Sequence, residues 1–300
     1  MNNYEPLSKG DTIAIVAPAR RPTQQEIDIA YAKLQSWGLN VVLGEHLFCS
    51  DNQYAGTDTQ RASDLNAALQ NPNVKAILCA RGGYGGIRIL DKIDFSVLNT
   101  THKWLCGYSD TTVFHAHLNQ QNISTLHCTM PINFPEDGST DISLQTLHDC
   151  LFGKPIHYTI PAHGFNRIGN TTGQLIGCNL SILYSLLGSP NDFSFDNKIL
   201  FIEDVGEYLY HIDRMIFSLK RAGKLTHLAG LIVGGMSDMN DNAIPFGKTP
   251  YEIVAEHTAE YNYPICFGFP AGHIPENYAL PLGIETSLTV TQDGVTLQQF

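Results

Sequence analysis

Paired cysteines are missing from this sequence. Its seven (Cys49, Cys79, Cys106, Cys128, Cys150, Cys178 and Cys266) are odd in number and widely scattered. That spacing excludes CxxC zinc knuckles and predicts reduced, mostly buried thiols rather than disulfides. Basic charge is also scarce: 18 Lys and Arg stand against 29 Asp and Glu, a net charge of −11. With no Lys/Arg cluster to neutralise a run of phosphates, nucleic acid and anionic membrane are not expected partners. No apolar run approaches the length of a membrane span, and Met1 to Pro6 have neither the basic nor the apolar part of a secretory signal. A cytoplasmic protein is therefore expected.

Several motifs fail in an informative way. Counting a dinucleotide fingerprint from Gly83 puts Arg88 where the last glycine belongs, and Gly247-Lys248-Thr249 is preceded by Asn242 where a Walker loop needs glycine. A nucleotide-dependent enzyme is thus disfavoured. A zinc hydrolase is disfavoured too, because no HExxH occurs and His115 and His117, two apart on a helix, point to different faces.

What the chain does have is a folded composition, 43% apolar and 16% charged over 300 residues, enough for one large or two ordinary domains. Thr12–Val16 reads as a strand, Gln24–Trp37 as an amphipathic helix closed by Gly38, Val41–Leu43 as a strand and Thr59–Gln70 as a helix. Val74–Cys79 is a continuously apolar strand of the kind buried on both faces of a parallel sheet. Trp104–Tyr108, a helix over Thr111–Leu118 and a strand over Ile123–Cys128 continue the alternation. The expected fold is α/β with an open parallel sheet.

From about 155 to 173 the composition turns to His, Gly, Pro, Asn and Thr, which predicts irregular chain. We therefore expect an N-terminal domain over 1–154, a linker over 155–172 and a C-terminal domain over 173–300. In the last, helices are predicted at Asn179–Leu187, Tyr208–Ala222 and Pro250–Tyr261, and strands at Ile199–Ile202 and Leu228–Val233. The chain ends in a hairpin turned at Asp293-Gly294, a pair that adopts the positive φ angles of a tight turn.

Four segments could carry chemistry. Gly107-Tyr108-Ser109-Asp110 sits where a strand meets a helix, like a nucleophile elbow with Thr111 in place of its second glycine. Serine just before a helix is equally a favoured N-cap. Arg81-Gly82-Gly83-Tyr84-Gly85-Gly86 follows the third strand, where open α/β sheets bind ligands and glycine N–H groups can face an anion, though a plain glycine turn is also consistent. Glu203-Asp204-Val205-Gly206-Glu207 delivers a carboxylate from the end of a buried strand, or else supplies an acidic first turn to the next helix. Gly272-His273, in a loop braced by Pro270 and Pro275, holds an imidazole as a proton shuttle would be held, although any one of twelve histidines is more commonly an ordinary polar group.

Together, and in their order along the chain, these segments resemble the LD-carboxypeptidase family of serine peptidases over nearly the whole chain. Ala17-Pro18 after the first strand fits as well, as does Gly177-Cys178-Asn179-Leu180, where family members usually read Gly-Gly-Asn-Leu. The resemblance implies Ser109 as nucleophile, His273 as base and Glu203 as its orienting carboxylate, with an active site formed when two domains pack. It implies backbone N–H groups of Gly83 and Asp110 as the oxyanion hole. It further implies a first domain like class I glutamine amidotransferases, a smaller barrel-like α/β second domain, and a homodimer.

The substrate so implied is a small peptide, a murein tetrapeptide that loses its terminal D-alanine during peptidoglycan recycling, with no metal or organic cofactor. Arg81 is the candidate for the peptide's free carboxylate, alongside an ion-pair role, and Tyr84 and Asn179 are candidate substrate contacts. A related branch, the microcin-immunity type, cleaves peptidyl-nucleotide antibiotics with the same triad. A non-catalytic ligand-binding protein with a degenerate site is the reading from a different class.

Overall fold

The computed structural model describes residues 5–299. The chain forms two compact units: one runs up to Lys154 and takes back Tyr278–Pro281, and the other comprises Pro155–Asn277 and Leu282 onwards.

The first unit contains β1 (Thr12–Val16), α1 (Gln24–Ser36), β2 (Asn40–Leu43), α2 (Asp58–Gln70), β3 (Val74–Cys79), a single turn α3 (Gly86–Ile89), β4 (Trp104–Gly107), α4 (Thr112–Gln120), β5 (Thr125–His127) and α5 (Ile142–Leu151). Ile13, Ile15, Ile77, Leu78 and Cys106 are fully buried, as expected of apolar strands covered on both faces. Helices α1 and α2 begin with capping boxes, Thr23 with Glu26 and Thr57 with Gln60, each cap worth about 1 kcal/mol.

With β11 (Leu280–Leu282) at one edge, the six-stranded sheet has the order β11-β5-β4-β3-β1-β2, and the pairs from β5 through to β2 are all parallel. The chain goes from β1 to β2 on one side, then crosses to β3 on the other. The carboxyl ends of β1 and β3 therefore flank the point where strand order reverses, the usual ligand crevice of such sheets.

The second unit holds β6 (Ile156–Pro161), β7 (Gly169–Ile176), α6 (Leu180–Ser185), β8 (Lys198–Val205), α7 (Leu209–Arg221), β9 (Gly230–Ser237), α8 (Pro250–His257), β10 (Ile265–Phe267), β12 (Glu285–Val290) and β13 (Gly294–Gln299); β11 (Leu280–Leu282) belongs to the first sheet. Its own sheet is mixed, in the order β10-β9-β8-β7-β12-β13-β6. Strands β7 to β10 are parallel, whereas β7, β12, β13 and β6 pair antiparallel.

Two expectations are corrected here. The stretch 155–173 is not irregular chain, because β6 and the start of β7 lie in it. Strand β6 is half exposed and takes its ladder from β13, so neither a buried apolar run nor a local partner marks it in sequence. Strand β8 also runs on through Glu203 and Asp204 to Val205, which rules out an acidic first turn of α7 at those two positions.

Candidate active site

In the first unit, Ser109 lies two residues past the end of β4, after Tyr108, and adopts a φ of +63°. That left-handed conformation is costly for a residue with a Cβ and is found where a side chain must be presented on a sharp strand-to-helix turn. Capping does not explain it. The N-cap of α4 is Thr111, with no side-chain capping bond, and a short 3₁₀ turn over Ser109–Thr111 intervenes.

The turn is pinned from behind by His115, whose Nε2 lies 2.9 Å from the carbonyl oxygen of Gly107. Burial pushes the imidazole down to about pKa 3, so it is neutral and its Nε2–H donates to that carbonyl. Cys79, Tyr108 and Met130 form an apolar cluster beside the same turn.

The glycine loop after β3 closes over the serine. A Cβ on Gly82 would stand 2.8 Å from Ser109 Cβ and 3.0 Å from its Oγ. Gly82→Ala is expected to displace Ser109 and, if its hydroxyl is a reacting group, to lower kcat on the order of 10²-fold while the melting temperature moves by only a few degrees, because misplacement of a reacting atom is felt far more in rate than in stability. Steady-state kinetics beside thermal unfolding checks this; an unchanged kcat would mean the loop yields freely.

The loop's far end is clamped between opposite charges. Asp110 Oδ2 accepts from the N–H of Gly86 at 2.7 Å, while the carbonyl of Gly85, in the same peptide group, accepts from Arg61 Nη1 at 2.9 Å. Arg61 is buried, also donates to the carbonyl of Pro18 and to Asp58, and stacks 4.9 Å from the Tyr54 ring centroid. Burial raises the Asp110 carboxyl to about pKa 6, restrained by the N–H groups of Gly86 and Gly85 and by the Arg61 charge. Neither Arg61 nor the Asp110 side chain stands out in sequence, because apart from Asp58 their hydrogen-bond partners are backbone atoms brought together only by the sheet.

In the second unit, Glu203 is completely buried, and its Oε2 lies 2.7 Å from His273 Nδ1 and 3.2 Å from the His273 backbone N. An ionised carboxylate can only accept, so Nδ1 carries the proton and Nε2 is left as the basic nitrogen. Gly272 permits the approach: it has a φ of +111°, and a Cβ there would meet Glu203 Cβ at 2.7 Å. The loop is braced by Asn277 Oδ1 on the Gly272 N–H at 2.8 Å and by the Ser237 hydroxyl donating to the His273 carbonyl at 2.6 Å.

Burial disfavours the charged form of His273. The hydrogen bond and charge of Glu203, aided by Asp204, outweigh this and hold its pKa above that of ordinary imidazole. Burial, and after it the charge of Glu203, push Asp204 up to about 7.

The remaining expected site residues are placed as follows. Asn179 is buried; its amide donates to Glu203 Oε1 at 3.2 Å and Asp204 Oδ1 at 3.1 Å, and its Oδ1 caps α6. It holds two carboxyls in place, a role not foreseen in the sequence. Arg81 faces Glu26 across 3.8 Å, and Tyr84 is exposed, 6.3 Å from the ring of Tyr54. Among the described residues no group of three or more His, Cys, Asp or Glu could hold a metal ion, and no helix is long and apolar enough to cross a membrane.

Comparison with known proteins places this geometry in a family. Residues 13–128 match the LD-carboxypeptidase N-terminal domain and residues 172–288 match the LD-carboxypeptidase C-terminal domain. The chain is 34% identical to a probable murein peptide carboxypeptidase of Bacillus subtilis, covering 99% of this chain and 95% of that protein. It is 25% identical to the microcin C7 self-immunity protein MccF of Escherichia coli over 98% of this chain and 95% of that one. The crystal structure of muramoyltetrapeptide carboxypeptidase from Oxalobacter formigenes superposes with a TM-score of 0.88 at 25% identity, covering 96% of this chain and 98% of that one.

Proposed function

The chain belongs to the LD-carboxypeptidase family, and from that membership we propose that it is a serine carboxypeptidase that hydrolyses the LD-peptide bond before the terminal D-alanine of murein tetrapeptides. The observation that carries this reading is the 2.7 Å Glu203–His273 bond in a chain whose relatives are carboxypeptidases.

Ser109 attacks the scissile carbonyl as His273 Nε2 takes its proton, and Glu203 fixes the imidazole tautomer and stabilises its positive form. Backbone N–H groups of Gly83 and Asp110 hold the tetrahedral oxyanion. His273 returns the proton to the leaving amine, D-alanine departs, and the acyl-enzyme is hydrolysed by water that the same imidazole activates.

The family also supports the finer picture: a first unit resembling class I glutamine amidotransferases, a barrel-like second unit, and a homodimer working in the cytoplasm. The barrel-like character draws support from Arg167, which exchanges backbone hydrogen bonds of 2.9 and 3.1 Å with Ile265 of the edge strand β10. The similarity to MccF favours a second reading of the same triad, hydrolysis of a microcin-type peptidyl-nucleotide.

Mass spectrometry of the protein incubated with a murein tetrapeptide decides between them. Loss of one D-alanine with wild type, undiminished by chelator and absent with Ser109→Ala, is the expected result. An intact tetrapeptide beside a cleaved microcin-type substrate would replace the first reading by the second, and cleavage surviving in Ser109→Ala would remove the nucleophile assignment.

A further inference from the structure

Two loops leave the sheet at the point where strand order reverses: Ala17 to Arg20 after β1 and Ala80 to Gly85 after β3. They are stitched together, with the Arg20 backbone N–H 3.4 Å from the carbonyl of Gly82 and Arg20 bridged to Tyr54. The Arg20 side chain lies on Gly83. A Cβ on that glycine would fall 2.5 Å from Arg20 Cδ, 2.6 Å from Cγ and 2.8 Å from Nε. The neighbouring Gly82 packs on Ser109, where an added Cβ would stand 2.8 Å from the serine Cβ, so one glycine loop touches the Arg20 side chain and Ser109 at successive residues.

The charge of Arg20 is unspent. Arg61 and Arg88 pair with Asp58, Arg81 faces Glu26, Arg167 donates to the Thr258 carbonyl and Arg214 lies over the Tyr210 ring; Arg21 and Arg221 have no such side-chain partner among the described residues, but neither side chain packs on a glycine of this loop. Arg20 is exposed and has no hydrogen bond or ion pair from its guanidinium group among the described residues. In a chain with a net charge of −11 carboxylates are plentiful, so an uncommitted arginine on the glycine loop that also packs on Ser109 points to an anion that arrives with the substrate.

We propose that Arg20 binds the free α-carboxylate of the amino acid that leaves, and so makes the enzyme an exopeptidase. The inference rests on the carboxypeptidase reading and moves the carboxylate-recognising role from Arg81 to Arg20. The carboxylate carbon is three bonds from the carbonyl carbon that Ser109 attacks, so the two groups must be met by side chains only a few ångströms apart. A guanidinium fork offers two parallel N–H donors in the plane a carboxylate needs, which an ammonium group does not. Seating on Gly83, the same residue that supplies an oxyanion donor, ties recognition of the terminus to the reacting carbonyl.

The test compares wild type, Arg20→Gln, Arg20→Lys and Arg81→Gln on a murein tetrapeptide ending in D-alanine and on the same peptide ending in D-alaninamide. Wild type is expected to prefer the free acid. Arg20→Gln should lower kcat/KM on the acid about 10²-fold and leave the amide rate as it was, the loss expected when a charged group loses its partner in a site built to bind it. Arg20→Lys should recover part of the preference and Arg81→Gln should keep it. Equal losses on both peptides, or no loss, would overturn the assignment, and an acid preference that disappears in Arg81→Gln instead would return the role to Arg81. If wild type cleaves neither peptide, the carboxypeptidase reading itself fails and the role of Arg20 falls with it.

Discussion

Replacement of Ser109 by alanine is expected to lower kcat on the order of 10⁶-fold, the scale of loss when a triad nucleophile is removed. The backbone at this position sharpens the prediction. At a φ of +63° the serine is held in a conformation that costs about 1–3 kcal/mol for a residue with a Cβ. Ser109→Gly should be as inactive as Ser109→Ala yet at least as stable as the parent, since relief of that strain offsets the roughly 0.5–1 kcal/mol of extra chain entropy that glycine loses on folding. Denaturant unfolding of the two variants checks this. A glycine variant clearly less stable than wild type would show that the turn is not strained.

The second large effect is expected at Glu203. Changing it to glutamine keeps the volume but lets the amide present either its oxygen or its NH₂ group to Nδ1, and the scale of loss when the triad carboxylate is neutralised is about 10⁴-fold in kcat. The pH profile separates this from simple misfolding. In the proposed mechanism His273 must be neutral to accept the Ser109 proton, and its pKa is held above the ordinary imidazole value. Activity should therefore fall as pH drops through that raised value, giving an acid limb at higher pH than an unperturbed histidine would.

In Glu203→Gln the carboxylate's hydrogen bond and charge are gone while burial remains, so the residual activity should show its acid limb at lower pH. Asp204, pushed up to about 7, also takes up a proton as the pH falls and broadens the wild-type limb. A limb unmoved by Glu203→Gln would mean that His273 is not the base whose ionisation is observed.

Local signals account for much of what was legible beforehand. Alternating apolar strands and capped helices mark β1, α1, α2 and β3 because each is set by residues within its own span. The Asp293-Gly294 turn marks the last hairpin for the same reason, with Val290 paired to Val295. The segments around Ser109, Glu203 and His273, to which we assign the chemistry, are visible because short motifs with glycine or proline neighbours stand out from ordinary helix and strand.

What could not be read locally depends on partners far along the chain. Strand β6 exists because β13 supplies its ladder from the other end of the second unit, and β11 joins the first sheet from residue 280. Glu203 could have begun a helix as easily as it continues a strand; pairing of β8 with β9 as far as Val205 settles that. Arg61 and Arg20 look like ordinary polar residues, and Asn179 like a substrate contact, until the fold sets a glycine carbonyl, a bare glycine face and two carboxylates against them in turn. Backbone conformation and capping are decided within a few residues, and these follow from the chain itself. The identity of a buried polar group's partner is a long-range matter, decided only when the packed sheets bring together atoms that sequence keeps apart.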